Sequence, residues 1–135
     1  MQKKSFSIIL LVLIYIIFAL DLAAGQYFLY WRFWWFDMVL HFLGGLWIAL
    51  VSYYILFFSG YKRKFKKVKE KYSITILILV LVIGVGVLWE VFEYVMGAVP
   101  KTGHILDTCL DLLMDIIGGS VGYLLISKKY ILAKR

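Results

Sequence analysis

Apolar residues run along this chain in four long blocks, and polar residues gather between them. The blocks cover about Phe6–Ala24, Trp34–Ser59, Ile74–Val99 and Ile105–Ser127. A helix that crosses the hydrocarbon core needs roughly 20 mostly apolar residues at 1.5 Å each, and every block supplies them. The connections are short, so consecutive helices pack antiparallel. The pattern predicts an all-α fold: an integral membrane four-helix bundle in a single domain, residues 1–135.

Composition agrees. Hydrophobic residues make up 64% of the chain and charged residues 17%, against the 45–50% and about a quarter usual in soluble domains. The net charge of +7 would point to nucleic acid if it covered a soluble face. Instead, thirteen of the fifteen Lys and Arg residues lie in three places: Lys3 and Lys4, the run Lys62–Lys71, and the tail Lys128–Arg135. That is the positive-inside bias of a membrane protein, not a nucleic-acid surface. It puts both termini and the basic loop 60–73 in the cytoplasm, and Gln26–Phe33 and Pro100–His104 outside. The expected location is the cell (inner) membrane of a bacterium or archaeon.

The first block has the basic start and apolar centre of a signal peptide. Its apolar stretch is long, and Leu22-Ala23-Ala24 matches a cleavage site poorly, so it reads as a retained span. From Tyr27 to Phe36, eight of ten residues are aromatic. Trp and Tyr favour the headgroup region, which makes this connection an interfacial anchor. The single cysteine, Cys109, cannot form an intramolecular disulfide.

The acidic residues change the picture most. Of eight, only Glu70 lies in the basic loop; Asp21, Asp37, Glu90, Glu93, Asp107, Asp111 and Asp115 lie in or at the ends of spans. A charge at mid-bilayer costs about 3 kcal/mol on the insertion scale. These side chains must therefore face the bundle interior, a wet cavity or one another. With the topology above, all seven fall in the outer half of the membrane. Asp37 and His41 share a helix face, and Gly86, Glu90, Glu93 and Gly97 follow one stripe. Asp111 and Asp115 continue at seven-residue spacing into Gly118 and Gly122, so the acidic faces also carry the small residues that let helices approach.

The two halves of the chain look related. Asp37-Met-Val-Leu-His41-Phe-Leu-Gly44-Gly45 matches Asp111-Leu-Leu-Met-Asp115-Ile-Ile-Gly118-Gly119 position by position, and Asp21-Leu-Ala-Ala-Gly25 resembles Glu93-Tyr-Val-Met-Gly97. Two repeated helical hairpins about an axis along the membrane normal would bring Asp37, His41, Asp111 and Asp115 together, with Glu90 and Glu93 beside them.

Several carboxylates and an imidazole cannot all be charged together in a low-dielectric site. Either some hold protons, or a cation compensates them. Asp, Glu and His suit a divalent metal ion, and helix-borne pairs at this spacing resemble the metal sites of bundle proteins. The candidate ligands are Asp37, His41, Glu90, Glu93, Asp111 and Asp115, with His41 and Glu90 as candidate catalytic groups. His104 lies in the outer connection, where solvation explains it. Lys101 and Arg32 are the two outer cations, and topology alone explains them.

Common catalytic patterns are missing: there is no Gly-x-Ser-x-Gly and no phosphate-cradling Gly loop. Gly103-x-x-x-Asp107-x-x-x-Asp111 matches the last part of the CDP-alcohol phosphotransferase motif, but the upstream half is absent.

Asp37-x-x-x-His41 followed by glycines, Trp89-Glu90-x-x-Glu93, and Asp111-x-x-x-Asp115 followed by Gly118 resemble the YjdF-type small bacterial membrane proteins over roughly Trp35–Leu125. More distantly they resemble the VanZ-like proteins, whose pattern has Asn at position 115 and one Glu where this chain has Glu90 and Glu93. The YjdF-type resemblance implies a membrane protein without implying an activity. The VanZ-like one implies the cell envelope.

The expectation is a membrane protein with an outward-facing acidic–His site for a divalent cation, recognising or acting on a lipid-linked or anionic envelope molecule. The rivals are a small proton- or ion-coupled transporter, working as a homo-oligomer, and a structural or accessory protein whose buried acids set helix register.

Overall fold

Residues 3–58, 72–97 and 104–132 are described by a computed structural model, and within them the chain is helical with no strand. The basic run Lys62–Lys71, the connection Pro100–Gly103 and the residues beyond Leu132 lie outside the described residues, as does the side chain of His104. The elements are α1 (Lys3–Gln26), α2 (Leu29–Arg32), α3 (Phe36–Phe58), α4 (Tyr72–Met96) and α5 (His104–Leu132). Four of them are long and apolar enough to cross a membrane: Lys4–Gln26, Phe36–Leu56, Ile74–Met96 and Ile105–Ser127. The expected all-α membrane bundle is what the chain forms.

The aromatic connection contains one helical turn, α2. The turn begins with Phe28 in the left-handed region at φ 55°, a conformation that costs a non-glycine residue about 1–2 kcal/mol. Tyr27 N–H still bonds to the Ala23 carbonyl, so the chain leaves α1 at Phe28, and it turns again at the extended Phe33 before α3. Trp31 and Trp34 stand 88% and 76% exposed, as side chains resting in a lipid headgroup layer would. At the same end, α4 stops at Gly97, whose φ of 69° is the usual left-handed helix terminator. Gly97 was expected to continue the packing stripe of Gly86, Glu90 and Glu93. It has no neighbour within 4 Å of a built Cβ and ends the helix instead.

Consecutive helices are antiparallel as expected, but the most extensive packing joins α3 to α5, which are not consecutive. These two run parallel, since Phe42 faces Gly118 and Leu46 faces Gly122. Their backbones meet. A methyl group on Gly45 would overlap the Asp115 carbonyl, and one on Gly118 would overlap the Phe42 carbonyl. Gly119 turns the other way, onto Val82 of α4. One short glycine-rich segment of α5 therefore seats two neighbours.

Two apolar clusters flank the seam. Phe6 and Leu10 of α1 pack with Leu50 and Ile126, and Trp47 Nε1–H donates to the Leu10 carbonyl at 2.9 Å. Ala49, Ile78 and Val82 form a fully buried contact between α3 and α4. α4 packs on both α3 and α5, whereas the backbone of α1 approaches α2 and α3 alone among the described elements. α4 is thus held more tightly than α1.

Gly118→Ala should destabilise the protein by about 1–3 kcal/mol, because the carbonyl it would strike belongs to a rigid helix backbone. Gly84→Ala, where a Cβ meets nothing, should stay within about 0.5 kcal/mol of wild type. Thermal unfolding in detergent compares them, and equal stability of the two variants would contradict the close α3–α5 seam.

Candidate metal centre

The seam sets the position of His41. Four residues before Gly45, its ring is buried at the α2 end of α3 with 6% of its surface exposed. Asp111 and Asp115 of α5 are buried on the same seam, and Glu90 of α4 closes the third side. His41 and Asp115 are matched positions of the two related segments, and they meet directly.

The two ring nitrogens face different partners. Nδ1 lies 3.2 Å from Asp115 Oδ2. Nε2 lies 3.7 Å from Glu90 Oε1 and 3.9 Å from Asp37 Oδ1. With Nδ1–H donating to Asp115, the Nε2 lone pair points into the acidic cluster. Both Nε2 and Glu90 Oε1 are buried without a hydrogen-bond partner. The other oxygen of Glu90 is occupied, since Thr108 Oγ1–H donates to Oε2 at 2.6 Å.

Two sets of side chains can bring ligand atoms within 4.8 Å of one another: Asp37, His41 and Asp111, and His41, Glu90 and Glu93. They share His41. Five of the six expected ligands therefore fall into two sets that share one imidazole. Asp115 occupies a different position, behind the ring on Nδ1, where a carboxylate orients a histidine ligand. Asp107 belongs to neither set. Asp21 is engaged elsewhere, accepting from the Tyr30 hydroxyl at 2.6 Å. Burial first, and then that hydrogen bond, push the Tyr30 hydroxyl above the usual tyrosine range, so it remains a donor at neutral pH.

Three contributors were not among the site residues expected from the sequence. Thr108 lies three residues before Asp111, so extending the Asp111–Asp115 stripe backwards reaches it. Trp89 Nε1–H donates to Glu93 Oε1 at 2.9 Å, one helical turn away. Gly86 carried a packing role in the stripe but has a sharper one, because a Cβ there would strike the Asp115 carboxylate. Asp37, His41, Glu93 and Asp115 open onto a cavity of about 290 Å³ that also reaches Asp21 and Tyr30.

Removing the Thr108 hydroxyl should leave Glu90 Oε2 buried and unpaired, at a cost of about 1–3 kcal/mol. Thr108→Val is expected to unfold at lower temperature than wild type and Thr108→Ser to match it, measured side by side by thermal unfolding.

No curated protein and no solved structure matches the chain. The more distant VanZ-like resemblance gains no support. Residues 2–130 match the family described as "Predicted membrane protein (DUF2238)", which is the YjdF-like family, and the chain belongs to it.

Proposed function

We propose that this inner-membrane protein binds a divalent cation at His41 Nε2, on the outer side of the membrane, and uses it to recognise or act on a lipid-linked envelope molecule. The observation that carries this reading is the pair of buried atoms without a hydrogen-bond partner, His41 Nε2 and Glu90 Oε1, 3.7 Å apart. That separation is too long for a hydrogen bond between them. Both are ligand types that a divalent cation accepts, and together they would hold one. Asp37, Glu93 and Asp111 complete a set of hard oxygen donors around one imidazole, and Asp115 fixes the ring tautomer.

Such an ion would polarise a phosphoryl or carbonyl oxygen, or activate water. As a ligand, His41 is unavailable as a base. Glu90 is buried on its Nε2 side and does not line the cavity, whereas the Glu93 carboxylate does and would serve as the base. The positive-inside distribution of Lys and Arg faces this end of the bundle away from the cytoplasm.

Elemental analysis of the purified protein, after dialysis against zinc, manganese and magnesium salts, tests the site. Wild type is expected to hold close to one equivalent, and His41→Ala and Asp111→Asn to lose it. Asp115→Asn should keep the ion but bind it about 10–100-fold more weakly, as removal of an orienting partner does. A wild type free of divalent metal would end this reading and turn attention to proton-linked transport.

A further inference from the structure

The cavity beside the cluster is more polar towards its α2 end. Asp21, Tyr30, Asp37, His41 and Glu93 line that part, and Asp115 lies deeper, level with Gly44 and Gly86. The wall is otherwise mostly apolar, with Ile14 and Ile17 from α1, Leu40 and Ile48 from α3, and Val85 from α4. From Asp37 to Ile48 the cavity follows α3 for about 16 Å along the helix axis. It therefore runs from the headgroup region towards the bilayer centre, with the polarity profile of a lipid in the same leaflet.

The cavity also has a side door. Its walls come from α1 on one side and α4 on the other, and among the described residues these helices make no backbone approach to each other. Phe18 of α1 and Val85 and Trp89 of α4 line the cavity yet remain 57%, 43% and 46% exposed, so they form the two lips of an open slot. At that depth the surroundings of the slot are hydrocarbon. Among the described residues no Lys or Arg lines the cavity, so a cation in the acidic cluster would supply the positive charge inside it.

We propose that the slot between α1 and α4 admits one hydrocarbon chain of an outer-leaflet phospholipid sideways from the bilayer, placing its phosphate on the cation held at His41. The phosphate half rests on the cation reading above. The chain half rests on the apolar walls and the open side alone. A pocket of this size, mostly apolar with a few convergent polar groups, is the usual form of a small-molecule site.

Native mass spectrometry of the protein released from phosphatidylcholine nanodiscs doped with phosphatidic acid tests both halves, with bound metal measured on the same samples. Wild type should retain one phosphatidic acid per chain together with its ion. Val85→Trp and Ile17→Trp, one on each wall and neither a cation ligand, should cut lipid retention at least tenfold while leaving the ion in place. Asp111→Asn should lose the ion and the preference for phosphatidic acid over phosphatidylcholine, yet still retain a lipid. Wild-type lipid retention in both tryptophan variants would overturn the slot. A wild type that holds its ion but retains phosphatidylcholine as well as phosphatidic acid would overturn the headgroup assignment. Absence of the ion with lipid loss still caused by the two tryptophans would defeat the cation reading and leave the slot standing.

Discussion

Carboxylates cannot face hydrocarbon without a large cost, and this chain carries seven of them within or at the ends of its spans. The arrangement of the bundle follows from that cost. α3 and α5 present their acidic faces to each other, which puts Asp111, Asp115 and His41 on one seam with Glu90 of α4 against it. The same faces carry Gly45 and Gly118, whose missing side chains let the two backbones touch. Close approach and charge burial are therefore one device. The glycines bring the helices near enough for His41 to reach Asp115, and the seam keeps both away from lipid.

Within the cluster, satisfaction is unequal, and the inequality gives it a direction. Asp115 and Thr108 each supply a partner, to His41 Nδ1 and Glu90 Oε2. These contacts hold the imidazole and the carboxylate in place from behind. The atoms left over, His41 Nε2 and Glu90 Oε1, face each other, with Asp37 beside the imidazole nitrogen. A network built only for packing would be expected to close on itself, because a buried acceptor without a partner costs about 1–3 kcal/mol. This one is closed on one side and open on the other.

The unequal grip on the outer helices α1 and α4 matters for the same reason. α4 is packed against two helices and presents Glu90 from a firm support. α1 is held along α3 and at its end by the Tyr30–Asp21 hydrogen bond, and leaves a gap opposite α4. The three well-packed helices α3, α4 and α5 carry the polar cluster, and the loosely held α1 borders the cavity. The aromatic connection, with Phe28 held in the left-handed region, ties that helix back to α3.

The sequence by itself determined the four spans, because twenty or so apolar residues in lipid have no other stable form than a helix. It also determined which acids had to be interior and which helix faces they shared, since 3.6-residue periodicity is a local property. It did not determine how those faces meet. Periodicity places Asp111 and Asp115 on a stripe, and the internal repeat brings that stripe towards Asp37 and His41, but neither says which atoms meet across the α3–α5 contact. That contact separates the role of Asp115, on Nδ1, from that of Asp37, on the Nε2 side. It also made Thr108 a partner of Glu90 and left Gly97 as a helix stop. The gap between α1 and α4 was invisible for the same reason: an opening is a contact that two helices fail to make, and only their positions in space decide it.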